Sequence, residues 1–372
     1  MEKLPLNLTD GRKILLDRKM FDAEVEDLNF CLENKKFLDN IDFSKKVMFS
    51  HEIKSNNNIE GINDDIDVIR SVIEKQKEIK DIEKRNRIIN LYKGYRYILG
   101  SSDINKESLR ELYSILSEGL LSKEESQDMG EYYRTRSGII LHKGRLDDSY
   151  EETMDVEYVH NFMDKLLEYI NTDNNLDNST EYFIKSQIMH FYFVYIHPYF
   201  DINGRTSRTV AMWYLLNNKC FPYIIFNRAI KNEFPKYDEA IIEAKRFGNV
   251  TYFIKNMLIS VKKELEKEFV IEDIRGSISS KLSTIDYQTL NYILTMKGVM
   301  TLLDFTRVYN RDNDKKRAID IYNEMILPLL DKQVIEFVRY TNKSYGTNSK
   351  NFEFKLNEQN INKDEKFLKY LK

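Results

Sequence analysis

Thr180–Asn217 reads TEYFIKSQIMHFYFVYIHPYFDINGRTSRTVAMWYLLN, and this stretch decides the reading of the fold. From Thr180 to Ile196 it is apolar nearly all round: Phe183, Ile184, Ile188, Phe191, Tyr192 and Tyr195 leave little polar face. A helix of that kind belongs at the centre of a bundle. Pro198 stops it. A second buried helix is expected from about Gly204 to Asn217, carrying Val210, Trp213 and Leu216. His197–Arg208, HPYFDINGRTSR, is therefore the connection from one helix C-terminus to the next N-terminus.

That position has chemical consequences. Free amides at a helix start, with the positive end of the helix dipole, bind anions. Gly204 lets a phosphate approach the backbone, and Arg205 and Arg208 lie one turn apart on one face. Two guanidiniums beside a cradle of amides suit a di- or triphosphate. Asp201 is a hard oxygen ligand that suits Mg²⁺ shared with the phosphates, and His197 is placed to act as a base. Each residue alone has a plainer reading. His197 ends a helix, Asp201 caps one, and the arginines make salt bridges. Their order between two apolar helices favours the functional reading.

The rest of the chain extends this pattern. With 372 residues, two or three domains are expected. The composition, 42% hydrophobic and 31% charged with only 13 Gly and 5 Pro, is that of a mainly α globular protein. The net charge of −3 demands no polyanionic partner. No 18-residue apolar run and no apolar signal core at Met1–Asp10 is found, so no membrane partner and a cytoplasmic location are expected. Cys31 and Cys220 lack metal-ligand spacing and read as buried thiols. Residues 1–75 read as helices joined by polar loops, and Asp64 to Tyr97 as one long helix or a kinked pair. Gly130–Leu146, GEYYRTRSGIILHKGRL, reads as a short hairpin. Further helices are expected at Ser108–Ser117, Tyr158–Ile170, Lys236–Arg246 and Val250–Glu268, with the charged Glu264–Gly276 as an exit segment. Three short helices and two strands over 281–356 follow winged-helix order.

HPYFDINGRTSR resembles the Fic motif, H-P-F-x-D/E-G-N-G-R-x-x-R. His197, Pro198, Asp201, Asn203, Gly204, Arg205 and Arg208 match; Tyr199 and Ile202 depart. Related toxins tolerate Ala at the second departure, so Ile202 is not expected to need φ > 0. GEYYR and the hairpin resemble the Fic flap that aligns a target by strand addition, with Ile139, Ile140 and Leu141 as its docking strand. Tyr237 is a candidate to flank adenine, with a buried structural tyrosine as the alternative. SNNNIEG, Ser55–Gly61, resembles the Fic inhibitory segment S/T-x-x-x-E-G/N, with Glu60 as the inhibitory glutamate. Asn56 stands where that segment has Ser or Thr, so the segment is expected to be held loosely.

The resemblance implies an N-terminal helical region with the inhibitory segment at 1–80, a Fic bundle with its hairpin flap at 81–270, and a winged-helix-like domain at 281–372. It implies transfer of AMP from ATP to a Ser, Thr or Tyr hydroxyl of a target protein, the chain itself included. His197 would take the hydroxyl proton and Asp201 would hold Mg²⁺. Ile202, Asn203, Gly204 and Arg205 would line the α- and β-phosphates, and Arg208 would fix the γ-phosphate. A homodimer is compatible with it. Two alternatives stay open: another Fic-type transfer or AMP removal, and a nucleotide-sensing winged-helix regulator. Lys315, Lys316 and Arg317 give the latter only a small basic face, followed by Asp320 and Glu324, so nucleic acid is disfavoured as a partner.

Overall fold

The computed structural model describes residues 1–33, 45–74, 79–101, 103–142, 149–172, 176–220, 225–278, 282–346 and 349–360. They fall into two units. The first comprises Met1–Asn34, Met48–Ile59 and Ile66–Lys262; the second comprises Lys35–Val47, Glu60–Asp65 and Lys263–Lys372.

The first unit opens with strands β1 (Glu2–Asn7) and β2 (Lys13–Leu16), not with the expected helices. They pair antiparallel, Glu2 opposite Leu16 and Asn7 opposite Lys13. The reason is a period of two: Leu4, Leu6, Ile14 and Leu16 are buried on one face. Helices α1 (Asp22–Glu33), α2 (Lys45–Ile59), α3 (Ile66–Ile73), α4 (Ile82–Gly100), α5 (Lys106–Ser117) and α6 (Lys123–Gln127) follow. The run from Asp64 to Tyr97 is thus a pair of helices. Asp81 starts the second by accepting the Lys84 N–H.

Strands β3 (Ile139–His142) and β4 (Ser149–Glu152) form the expected hairpin, with Ile139 opposite Glu152 and Leu141 opposite Tyr150. Its second strand lies beyond Leu146, and Tyr132 and Tyr133 precede it outside any strand. Helices α7 (Val156–Asn171), α8 (Ser179–Ile196), α9 (Asn203–Asn217), α10 (Phe226–Asn232) and α11 (Phe234–Phe247) then build the core. Helix α8 is buried along nearly its whole length and packs on α7 and α9. Gly248, at φ 67°, ends α11 in the left-handed region where Gly has no Cβ penalty. Its carbonyl accepts the Leu15 N–H, so this turn also anchors the N-terminal hairpin.

Helix α12 (Thr251–Ser277) runs unbroken through the charged segment expected to be an exit. Glu264–Gly276 holds no residue that breaks a helix before Gly276, and two of its charges, Glu264 and Lys267, are buried and pair with each other at 2.6 Å. In the second unit, α13 (Thr284–Met296) begins with a capping box of Ser283 and Asp286, and α14 (Leu302–Asp312) with Thr301. Next come α15 (Ala318–Ile321), a π turn over Tyr322–Ile326 and α16 (Leu327–Asp331). Strands β5 (Met300–Thr301), β6 (Ile335–Gly346) and β7 (Ser349–Leu356) form a sheet in the order β5-β7-β6. Leu290, Leu294, Phe305, Ile326, Leu329 and Phe354 are buried in this unit. Among the described residues, no helix is long and apolar enough to cross a membrane.

Candidate active site

The loop between α8 and α9 is fixed from both ends. His197 caps α8 in the left-handed region (φ 52°, ψ 60°) and donates its N–H to the Phe193 carbonyl at 3.0 Å. Two residues on, Tyr199 is fully buried and stacks on Tyr113, with ring centroids 3.7 Å apart. The Asn203 side chain closes the turn. Its Oδ1 accepts the Tyr199 N–H at 2.9 Å and its Nδ2 donates to the Tyr199 carbonyl at 2.8 Å. Asn203, assigned to phosphate on resemblance, therefore spends both ends of its amide on loop shape.

Asp201 is exposed, and its Oδ1 accepts the Ile202 N–H at 2.6 Å. Ile202 sits at φ 64°, ψ 15°, which corrects the expectation that this position does not need a positive φ. A β-branched residue there carries roughly 1–2 kcal/mol of strain. Burial of its side chain, 3% exposed, offsets it. The Ile202 carbonyl then accepts the Thr206 N–H at 3.0 Å and hydroxyl at 2.8 Å, and α9 begins.

The two arginines of α9 meet different surroundings. Arg205 is half-buried, and its Nε is buried without a hydrogen-bond partner among the described residues. Arg208 is 2% exposed and donates from Nε and Nη2 to the Asn56 Oδ1, at 3.2 and 2.7 Å. Asn56 is fully buried and also donates to the Tyr95 hydroxyl at 3.1 Å. The network continues through Asn227, which donates to Tyr95 and, from N and Nδ2, to the Glu52 Oε2 at 2.9 Å each. Burial pushes the Glu52 carboxyl up to about 7 despite those donors and the nearby Arg228. Helix α2 is thus tied into α9 and α10, which corrects the expectation of a loosely held segment. Glu60 is exposed in the turn after α2 and belongs to the second unit.

Two groups at the loop escaped the sequence reading. Tyr113, on α5, has a buried hydroxyl without a hydrogen-bond partner. Burial, with Asp201 nearby, raises it above the ordinary tyrosine range, and Arg110 and Arg205 act against this. Arg134, 2% exposed, donates from Nε to the His197 carbonyl at 2.8 Å and from its backbone N–H to the Pro198 carbonyl at 3.0 Å. Its string GEYYR was read only as the approach to a hairpin. An arginine inside an aromatic run is the signal available for it.

The remaining candidates separate. Tyr237 is buried against the middle of α8, about two turns before His197. Its hydroxyl pairs with the His190 Nε2 at 2.8 Å, and the cavity it lines is only about 50 Å³. That is a buried core environment, the alternative reading for this tyrosine. Ile139, Ile140 and Leu141 lie on β3 as expected. Among the described residues, no three His, Cys, Asp or Glu side chains gather to hold a metal.

Residues 103–215 match the Fic/DOC family, a segment running from before α5 to the end of α9. Over 215 residues the chain is 25% identical to the protein adenylyltransferase Fic of Nematostella vectensis, covering 57% of this chain. The match takes in 46% of that relative, so the chain spans about half the length of the curated protein it resembles. A crystal structure of a Fic family protein from Desulfovibrio desulfuricans has the same fold, with a TM-score of 0.57 at 15% identity over 91% of this chain and 95% of that one. Motif and matched segment thus place a Fic domain at residues 103–215, within a fold shared with that Fic family protein.

Proposed function

We propose that the chain is a protein adenylyltransferase, moving AMP from ATP to a hydroxyl of a target protein and of itself. The observation that carries this reading is the start of α9: first-turn amides, which have no intrahelical acceptor, a buried Arg205 Nε with no partner among the described residues, and His197 six residues before the helix begins. An anionic ligand satisfies what the protein leaves unsatisfied there.

The target hydroxyl oxygen forms a bond to the α-phosphorus, the bond to the β-phosphate oxygen breaks, and pyrophosphate leaves. His197 takes the hydroxyl proton. Arg205 and the amides of Gly204 and its neighbours hold the α- and β-phosphates, and Arg208 reaches the γ-phosphate. With Oδ1 occupied by the Ile202 amide, Asp201 offers Oδ2 to a Mg²⁺ ion. A single carboxylate completed by substrate phosphates is the usual way Mg²⁺ is held, and the ion would neutralise phosphate charge. Glu60 is the proposed inhibitory carboxylate. The Ile139–Leu141 strand is the proposed docking edge, and the helices and sheet of the second unit are a winged-helix-like module for protein docking.

The test is label placement. The purified chain with Mg²⁺ and α-labelled ATP becomes labelled and gains the mass of AMP, whereas γ-labelled ATP leaves it unlabelled. Labelling from γ-labelled ATP alone would assign phosphoryl transfer instead.

A further inference from the structure

We propose that Arg134 is a positioning residue that locks the base of the β3–β4 hairpin to the backbone of His197. The docking edge and the proton acceptor then move as one body. The functional half of this inference rests on the adenylyltransferase reading; the mechanical half does not.

The geometry is specific. The Arg134 guanidinium sits at the junction of three chain segments and gives one donor to each. Nε goes to the His197 carbonyl at 2.8 Å, where α8 ends. Nη1 goes to the Arg136 carbonyl at 2.9 Å, on the approach to β3. Nη2 goes to the Met154 carbonyl, just past β4. Its backbone N–H holds the Pro198 carbonyl. Next to Met154 the hairpin is closed by two bonds between Gly138 and Thr153, at 2.8 and 3.0 Å. The grip is therefore on the root of the hairpin.

The chemistry argues against a merely space-filling role. A guanidinium that is 2% exposed is costly to desolvate, and among the described residues Arg134 makes no ion pair. Burial draws its affinity for the proton down, and the field of Asp155 only partly restores it. A Met or Leu would fill the same volume without that cost. What no apolar side chain supplies is a rigid planar fork reaching three carbonyls at once, and a Lys ammonium lacks that fork as well.

The experiment uses the full chain and Arg134→Lys, with Arg134→Met as a second variant. Amide hydrogen exchange is followed at Thr153, which reports the hairpin root, and at Tyr199, which reports the loop. Both amides are expected to exchange at least about tenfold faster in the variants, while amides in the middle of α8 keep their protection. MgATP affinity is expected to stay within about threefold. Self-AMPylation falls by about 100-fold, the size of effect that an ångström of misplacement produces. Release of AMP to water, which needs no docked hydroxyl, falls much less. Acceleration of one amide without the other, or uniform loss of protection through α8, overturns the lock. If both variants fail to fold, the same amides are followed in the wild type across sub-denaturing urea. A shared opening free energy and urea slope supports the lock; two separate openings overturn it. If the wild type transfers no AMP, the adenylyltransferase reading fails, and the exchange data still decide the mechanical claim.

Discussion

Arg205 and Arg208 are three residues apart on one helix, yet the protein treats them in opposite ways. Around Arg205 it leaves a buried donor without a partner among the described residues. Around Arg208 it builds a fully buried acceptor, Asn56, and braces that acceptor with Tyr95, Asn227 and Glu52. The second turn of α9 is already engaged by the protein's own N-terminal helix. On the proposed reading, a nucleotide spanning both turns would meet an unpaired donor at one and an existing partnership at the other.

The largest test of this contrast removes the chemistry and spares both arginines. His197→Ala is expected to lower AMP transfer by at least about 100-fold, with MgATP affinity nearly unchanged. Initial rates and titration calorimetry check it; equal rates would remove His197 as the base. Next, Asn56→Ala strips Arg208 of a buried acceptor and Tyr95 of a donor. It should cost the nucleotide-free protein about 1–3 kcal/mol by denaturant melts. MgATP should recover part of that loss by binding the native state. A loss unaffected by MgATP would mean that the phosphates do not reach Arg208.

Glu60→Gly is expected to raise self-modification several-fold at saturating ATP while changing ATP affinity little. An unchanged or lower rate would reduce SNNNIEG to a structural turn. The smallest effect concerns pH. The Glu52 carboxyl titrates near 7 when folded, against about 4.5 unfolded. Its contribution is fully present below about 4.5 and is lost as pH rises toward 7, because the folded state holds the proton more tightly. Glu52→Gln should therefore flatten the stability profile between those values. It should also gain stability at pH 8 relative to pH 5, by something on the order of 1 kcal/mol. A profile parallel to wild type would show that Glu52 is not the titrating group.

How much of this was legible in the sequence depended on distance along the chain. The α8–α9 pair was readable because its signals are local: an apolar run, a proline, then small polar residues opening the next helix. The N-terminal hairpin was locally visible too, in the alternation of Leu4 with Leu6 and Ile14 with Leu16, but a helical period was imposed on it. Asn56 was not legible. Its partner lies 152 residues away, and comparison with a hydroxyl residue suggested a loose fit where a longer amide makes a firm one. Arg134 is a similar case at a span of 63 residues. Ile202 was misread for a different reason. Tolerance of Ala at this position in related toxins suggests that no positive φ is needed, but burial of the isoleucine side chain stabilises that φ once the core has formed.

That last feature bears on how fast a ligand is captured. Glycine at 202 would let the loop wander between both halves of conformational space before a nucleotide arrives. Burial of the isoleucine side chain instead holds the backbone in one basin, strained though it is. On the adenylyltransferase reading, binding then requires encounter but no prior search, and the observed association rate is expected to rise in proportion to ATP concentration without levelling off.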